Sequence, residues 1–170
     1  MKNQSAYVLP LEASDIVTVS RLARVIWLRQ YQGLLSNEQI HYMLGQRYCP
    51  ILIHTQLNDE NIWWKKLVLV DKIIGFSCCM RTDHHELKID KLYIRHDHHR
   101  KGYGRMFVDD AVKIMRGMCC HRLILTVNKQ NYTAIHAYQR YGFEICGDSI
   151  VDIGSGFFMN DYLMAMNLDH

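Results

Sequence analysis

Residues 131–143 read NYTAIHAYQRYGF, and this segment carries the most specific local pattern in the chain. On an α-helix, Asn131, Ala134 and Tyr138 fall at positions i, i+3 and i+7, so their side chains share one face. Gly142 is placed to end that helix, and Phe143 to begin a strand. An amphipathic helix with an inward tyrosine would explain the segment alone, but Asn, Ala, Tyr and Gly-Phe at these spacings rarely occur together by chance.

A second segment, residues 94–105, reads IRHDHHRKGYGR and joins the end of a predicted strand to the start of a predicted helix. A helix N-terminus offers unpaired N–H groups and partial positive charge, which favour anions. Gly102 and Gly104 let the backbone approach a ligand closely, and the basic side chains add long-range attraction. The segment therefore predicts a phosphate-binding loop, with a solvated basic turn as the alternative.

Two other phosphate motifs and a metal site are disfavoured by the same residues. Gly102-Tyr103-Gly104-Arg105 lacks the spacing and the Lys-Ser/Thr of a Walker loop. A dinucleotide fingerprint needs a third glycine where this chain has Phe107. A metal is suggested by five histidines, but no cysteine or carboxylate stands at zinc-ligand spacing around them: His84, His85, His96, His98 and His99. We therefore expect no metal.

Length and composition predict one globular domain over residues 1–170. With 170 residues, 49% of them apolar and 22% charged, the chain fits neither a disordered nor a fibrous protein. Its net charge of +3 is unevenly distributed, because residues 144–170 contain five carboxylates and no Lys or Arg. A nucleic-acid-binding protein would need a broad basic surface, whereas the basic cluster here is one short loop, so we expect no nucleic-acid partner.

The termini and cysteines indicate a cytoplasmic protein. The first residues lack the features of a signal peptide, and no apolar run approaches the roughly 18 residues that span a bilayer. Among the six cysteines, Cys78-Cys79 and Cys119-Cys120 are adjacent pairs. Neighbours on a strand point to opposite faces, so the six make a poor disulfide framework. We expect reduced, mostly buried thiols and no membrane association.

Hydrophobic spacing predicts a mixed α/β order of elements. Apolar residues at helical spacing predict helices over 16–27, 37–48, 106–118 and 132–141. Ser14 or Asp15 can cap the first and Ser36 the second, and Pro50 marks a break or a restart. Strands are predicted over 6–9, 62–70, 73–81, 87–94, 123–127, 143–151 and 157–167, with a hairpin turn at 71–72 and another turn at 154–156.

Together, residues 92–105, 131–143 and 161–164 in this order of elements resemble the GNAT superfamily of acyl-CoA-dependent N-acetyltransferases. The resemblance covers most of the chain. It implies the GNAT fold, a mixed central β-sheet of about six to seven strands flanked by about four helices. The family's loop pattern is Gln/Arg-x-x-Gly-x-Gly/Ala, which this chain matches at Gly102 and Gly104 but not at His99. Arg100 or Lys101 can replace that side-chain contact, because backbone amides do most of the phosphate binding.

The resemblance implies that acetyl-CoA is the co-substrate and assigns its contacts. The backbone of Leu92, Tyr93 and Ile94 would bind the pantetheine arm and polarise the thioester carbonyl. Asn131 would bind the cofactor arm, and Tyr138, also against the cofactor, would protonate the departing thiolate. The pyrophosphate would be held by the loop residues His99, Arg100, Lys101, Gly102, Tyr103, Gly104 and Arg105.

The catalytic base stays open among three candidates. An alkylamine with a pKa near 10.4 is almost fully protonated at pH 7, so its proton must be removed. Asp90 stands two residues before Leu92, where related enzymes often place a glutamate, and Glu86 lies on the same strand face. Either one, or a water, would serve. The structural alternative is a carboxylate paired with Lys88 or Lys91.

The acceptor is expected to be a primary amine. A small cationic amine or polyamine is preferred, because the carboxylates of residues 144–170 would attract a cation. A protein N-terminus or lysine side chain is the second candidate, and a non-catalytic acyl-CoA-binding module is a third class, against which the intact Asn131 and Tyr138 argue. Dimers are common in the superfamily, so the resemblance also allows a homodimer.

Overall fold

The computed structural model describes residues 5–83 and 85–168. Within them, seven strands form one sheet: β1 Ala6–Pro10, β2 Ile62–Leu69, β3 Lys72–Asp83, β4 Glu86–Ile94, β5 Arg122–Asn128, β6 Glu144–Gly154 and β7 Phe157–Asn167. The α-helices of these ranges are α1 Ile16–Gln30, α2 Asn37–Tyr48, α3 Pro50–Leu57, α4 Tyr103–Gly117 and α5 Tyr132–Tyr141. None of them is both long and apolar enough to cross a membrane.

The strands lie in the order β1-β2-β3-β4-β5-β7-β6. β4 and β5 are parallel, whereas β1 pairs with β2, and β7 with both β5 and β6, in antiparallel fashion. The mixed α/β sheet that the sequence predicts is therefore confirmed.

Two compact units share strands of this sheet. The first comprises the described residues up to Cys79 together with Lys91–Phe107, and the second comprises Met80–Asp90 and residues 108–168. β3, β4 and α4 thus contribute to both. The expectation of one domain over residues 1–170 stays a prediction.

The cap predicted for α2 is present, whereas Asp15 occupies the N-cap position of α1 without a side-chain capping bond. α1 buries the apolar face that its spacing predicts, from Ile16 to Trp27. Ser36 Oγ accepts a hydrogen bond from the Gln39 backbone N–H at 3.1 Å and caps α2. The chain restarts as α3 at Pro50, where the fixed φ of proline suits the first helical turn. The break-or-restart signal is therefore a restart, which adds a short helix to the four that were predicted.

The turn between β2 and β3 lies at Val70-Asp71, one residue earlier than predicted. Both residues have positive φ, 47° and 58°. Two successive positive φ angles are those of a type I′ turn, whose twist matches that of the flanking strands. The sequence did not reveal this placement because valine, being β-branched, is unfavourable at positive φ.

The cysteines only partly follow expectation. All six are free, and Cys78, Cys79 and Cys120 are buried. Cys119 and Cys146 are exposed, because the first lies in the turn after α4 and the second on the edge strand β6. Mostly buried thiols were expected, so the expectation is wrong for these two.

Candidate functional site

The loop between β4 and α4, in the first unit, has the backbone of an anion-binding concavity. Arg100 and Gly102 have positive φ, 60° and 81°, and α4 begins directly afterwards at Tyr103. Backbone N–H groups flanking such left-handed residues converge on one point, and the helix N-terminus adds its partial positive charge. A left-handed arginine costs about 1–2 kcal/mol relative to its preferred conformation. Strain of this kind clusters at ligand sites.

The side chains of the loop are partly used to hold the loop itself. His99 Nε2 donates to the carbonyl oxygen of Ile94 at 2.7 Å, which ties the loop to the end of β4. Arg95 binds the Asp97 carboxylate through two nitrogens, and the hydrogen bond from Arg95 lowers the pKa of that carboxyl. Lys101 Nζ donates to the Asp97 carbonyl at 3.2 Å. His99 therefore has a structural contact here, whereas Arg100 is exposed beside the concavity.

The parallel pairing of β4 with β5 stops partway along both strands. The ladder runs from Glu86–Arg122 to Ile89–Leu125, while β4 continues to Ile94 and β5 to Asn128. Residues 92–94, predicted to bind the pantetheine arm, belong to the part of β4 beyond this ladder. On its other side β4 lies close to β3, since a Cβ on Gly75 would approach the Tyr93 carbonyl oxygen to 2.8 Å.

The side chains of this part of β4 lie in two packed groups of the first unit. Ile94 is in a core cluster with Leu67, Ile74 and Phe107. The ring of Tyr93 contacts an aromatic group, and its hydroxyl lies 3.2 Å from that of Tyr31. This aromatic group is Trp27, Tyr31, Tyr48, Trp64, Phe76 and Tyr93.

α5, in the second unit, ends at the Gly142 cap that its sequence predicts and begins at an Asn131 cap that was not predicted. Asn131 Oδ1 accepts a hydrogen bond from the Ala134 backbone N–H at 3.3 Å. Gly142 has φ of 102°, and the N–H of Phe143 bonds the Tyr138 carbonyl at 3.0 Å, which is a Schellman termination. The half-buried Tyr138 packs its ring on Phe143 at 5.7 Å between centroids. The Asn131 amide thus keeps its two N–H donors outside the capping bond.

The two candidate bases, also in the second unit, differ in their surroundings. Glu86 accepts from Thr82 Oγ1 at 2.9 Å and pairs with Arg122 at 3.2 Å. Asp90 lies 3.4 Å from Lys88 Nζ, and its side chain is 11% exposed. Glu86 is therefore held in an ion pair between strands, while Asp90 has the longer salt bridge to its own strand neighbour.

The carboxylates at the acidic end of the chain are partly engaged by other groups, although Glu144, Asp148 and Asp152 are exposed. Asp148 pairs with Lys129 Nζ at 2.5 Å, and Asp152 accepts from the Gly154 N–H at 2.8 Å. Asp161 is buried, with 8% exposure. Glu144 is exposed, and Asp169 lies outside the described residues. The argument that this segment attracts a cationic acceptor is therefore weakened.

Among residues 5–83 and 85–168, no three His, Cys, Asp or Glu side chains form a group that could hold a metal ion. His96 and His99 stack at 5.1 Å, and His85 stacks with His121 at 5.0 Å. His84, one of the histidines considered from the sequence, lies outside those ranges.

Sequence reasoning missed one buried cation. Lys91 is only 3% exposed, and its Nζ lies over the rings of Trp64 and Tyr48, at 5.2 and 5.8 Å from the centroids. From the sequence, Lys91 was considered only as an ion-pair partner for Asp90 or Glu86. The strand period was the available signal, because it places Lys91 on the same face of β4 as the buried Leu87 and Ile89.

The amino-acid sequence of the chain is similar to those of known acetyltransferases. The acetyltransferase (GNAT) family profile matches residues 24–143, more than two thirds of the chain. Peptidyl-lysine N-acetyltransferase YjaB of Salmonella typhimurium is 33% identical over 129 residues, 75% of this chain and 78% of that protein. Spermidine N(1)-acetyltransferase of Thermoplasma acidophilum is 22% identical over 139 residues, 79% and 86% of the two chains. An uncharacterised N-acetyltransferase of Mycobacterium tuberculosis is 27% identical over 97 residues, 57% of this chain and only 62% of its own length.

Solved structures show the same fold. The crystal structure of PaiA N-acetyltransferase from Thermoplasma acidophilum in complex with coenzyme A superimposes with a TM-score of 0.83, covering 96% of this chain and 99% of that one at 21% identity. The family match includes both the loop before α4 and the capped helix α5. The resemblance seen in the sequence is thereby confirmed, and the chain belongs to the GNAT family of acetyltransferases.

Proposed function

We propose that this protein transfers the acetyl group of acetyl-CoA to a primary amine. The observation that carries the proposal is the loop before α4, where Arg100 and Gly102 take left-handed conformations directly ahead of a helix N-terminus. This geometry suits a pyrophosphate, the most anionic part of the cofactor backbone. The coenzyme A bound to the PaiA relative supports the same cofactor here.

The transfer would proceed by direct attack of the neutral amine on the thioester carbon. The N–C bond forms, the C–S bond breaks, and the departing thiolate takes a proton, which we assign to the Tyr138 hydroxyl. Backbone N–H groups of residues 92–94 would stabilise the oxyanion, since this part of β4 lies beyond its ladder with β5. Asp90 would accept the proton of the amine, directly or through water, with Glu86 as the second candidate; each carboxylate also has an ion-pair partner, Lys88 and Arg122 respectively.

The acceptor would be an alkylamine, in the first place a small cationic amine or polyamine, as for the spermidine-acetylating relative. A lysine side chain of a protein is the second candidate, which the more identical peptidyl-lysine acetyltransferase favours. The pairing of Asp148 with Lys129 and the burial of Asp161 leave the choice between them to experiment. Acetyl-CoA and free thiols both fit the cytoplasm.

Two measurements test the proposal. Thermal unfolding with coenzyme A and acetyl-CoA should show a rise in Tm that grows with ligand concentration, as mass action requires. Thiol release would then be followed over spermidine, a lysine-containing peptide and a peptide with a free N-terminus. A Tm rise without thiol release for any amine would instead support a non-catalytic acyl-CoA-binding module, and no Tm rise at all would refute the proposal.

A further inference from the structure

We propose that a cavity between α1 and α2 binds a small organic anion through Arg24. The cavity has a volume of about 370 Å³ and lies wholly within the first unit. It is lined by Ser20 and Arg24 of α1 and by His41, Leu44, Gly45, Tyr48 and Cys49 of α2 and its C-terminal end. These positions form one stripe on each helix, because residues three and four apart share a helix face.

Arg24 is oriented at the cavity by a hydrogen-bonded histidine. His41 Nδ1 lies 2.8 Å from the Asn37 carbonyl and donates to it, which leaves Nε2 to accept from Arg24 Nη2 at 3.2 Å. The guanidinium has five N–H donors in a planar fork. It can therefore keep His41 on one nitrogen while another edge receives a carboxylate, and its long side chain is already oriented before the ligand arrives.

Gly45, in the lining of the cavity, supports the same site. It lies in the interior of α2, where glycine costs roughly 1 kcal/mol relative to alanine. Its φ is not left-handed, and a Cβ built on it would meet nothing within 4 Å. Neither backbone conformation nor close packing therefore requires a glycine at this position. We infer that glycine at position 45 leaves space in the cavity that a larger side chain would fill.

The charge of the two helices selects the sign of the ligand. Residues 16–48 contain four arginines and a single carboxylate, and three of the arginines (Arg21, Arg24 and Arg29) and the carboxylate, Glu38, are exposed, so this segment carries a net charge of +3. Such a surface attracts anions and repels polyamines. An acceptor-like cation is therefore excluded as the occupant.

The remaining walls indicate an anion with an apolar body. Leu44 and Tyr48 add only small apolar patches to the lining, since 8% and 1% of their surfaces are exposed, beside the polar Arg24 and Ser20. A cavity of this volume is in the range that holds small organic molecules and exceeds the needs of a bare ion. The ligand class is thus a small carboxylic acid with an aromatic or aliphatic group, which need not take part in acetyl transfer.

The test uses Cys49, a half-buried free thiol in the cavity wall, as a reporter. Alkylation of Cys49 by iodoacetamide would be timed by mass spectrometry with and without benzoate, in the intact protein. Benzoate should slow modification of Cys49 at least several-fold. The exposed Cys119 and Cys146 serve as internal references whose rates should not change.

Matched variants make the result specific. Arg24→Gln and Gly45→Met should each abolish the protection, the first by removing the fork and the second by filling the space. Arg21→Gln removes the same charge from an exposed position of the same helix outside the cavity wall and should keep it. Benzamide, the neutral analogue of benzoate, should not protect. The proposal would be overturned if benzamide protected Cys49 as well as benzoate does, if benzoate still protected Cys49 in Arg24→Gln, or if benzoate no longer protected it in Arg21→Gln. None of these readouts depends on coenzyme A binding or turnover.

Discussion

At the scale of single residues, the side chain of Asn131 has one observed role, as a helix cap, and one proposed role, in binding the cofactor. Its Oδ1 caps α5 through the Ala134 N–H, while its Nδ2 donors are the part that suits a carbonyl of the cofactor arm. Loss of the whole side chain would therefore mix a folding effect with a binding effect. An aspartate separates the two, because it caps a helix as well as asparagine does but donates nothing.

We predict different outcomes for the two substitutions of Asn131. Asn131→Ala should destabilise the protein by about 1 kcal/mol through loss of the cap and should also weaken coenzyme A binding. Asn131→Asp should keep the stability and lose only the binding. Urea unfolding and calorimetric titration with coenzyme A measure the two effects. If Asn131→Asp binds coenzyme A as well as the unaltered protein does, Asn131 acts only as a cap.

Tyr138 gives a kinetic prediction. Tyr138→Phe keeps the ring that packs on Phe143 and removes only the hydroxyl. An acid that acts on the leaving thiolate contributes about 10²–10⁴-fold, so kcat should fall within that range while the Kd for acetyl-CoA changes little. Tyr141→Phe, three residues along the same helix, is the matched control and should keep kcat. Equal losses in kcat and in cofactor affinity would assign a binding role to Tyr138 instead.

Local residue roles could be predicted from the sequence, while those set by distant partners could not. Gly142 acts through neighbours within a few positions, so its place in the sequence indicates the C-terminal cap of α5, whereas the local cap at Asn131 was not predicted. Glu86 pairs with Arg122, 36 positions away, and no local pattern reports that contact. The rings against Lys91 likewise come from Tyr48 and Trp64, whose approach depends on how α2 and the strands fold together.

At the scale of elements, the loop between β4 and α4 combines two left-handed residues with a helix N-terminus. The strand and helix boundaries around it follow from hydrophobic period and were predicted to within a few residues. The backbone angles were not, because arginine rarely adopts a positive φ and nothing in the sequence marks Arg100 as an exception. The turn at Val70-Asp71 was misplaced by one residue for the same reason.

Gly102 provides the test of this loop. No atom lies within 4 Å of a Cβ built on Gly102, so Gly102→Ala meets strain rather than a clash, because its φ is 81°. The strain should cost about 1 kcal/mol and shift the converging N–H groups, lowering affinity for coenzyme A. Affinity for pantetheine, which lacks the pyrophosphate, should change less.

Gly117→Ala is the control for that substitution. Gly117 lies at the other end of α4, with no left-handed φ and with open space around its Cβ position. It should leave coenzyme A affinity unchanged. A Gly102→Ala variant that binds coenzyme A like the Gly117→Ala variant would remove the loop from the cofactor site.

At the scale of the whole molecule, the charges counted along the sequence differ from the charges that the folded protein leaves exposed and unpaired. The acidic segment after residue 143 was expected to attract a cationic acceptor, yet Asp161 is buried and the exposed Asp148 is paired with Lys129, which leaves Glu144 and Asp152 as its exposed carboxylates without an ion pair among the residues that the structure describes. The positive excess lies on α1 and α2, between residues 16 and 48, and on the loop between β4 and α4. Charge counted along a chain thus predicts the field of a surface only after folding has shown which charges are exposed.

Tyr48 couples the stability of the whole molecule to alkaline pH. Burial, and next the neighbouring Tyr93 phenol, raise the pKa of Tyr48 well above its ordinary value. In the unfolded chain this phenol ionises near pH 10, whereas in the folded protein it stays protonated to higher pH. The stabilisation is therefore fully present below about pH 10 and is lost as the pH rises towards the folded-state pKa.

Tyr48 alone is expected to lower the free energy of unfolding by about 1.4 kcal/mol for each pH unit above 10. The pH dependence of the other titrating groups adds to this loss. Tyr48→Phe should lower stability at neutral pH, because the Trp27 Nε1–H loses its acceptor at 3.1 Å, and should remove this part of the alkaline slope. Tyr7→Phe, at a position 60% exposed, should leave the slope unchanged. Urea unfolding at pH 9, 10 and 11 measures all three proteins. An equal slope in the Tyr48→Phe variant and the unaltered protein would mean that this phenol ionises as readily folded as unfolded, which is incompatible with its complete burial among Trp27, Phe76 and Tyr93.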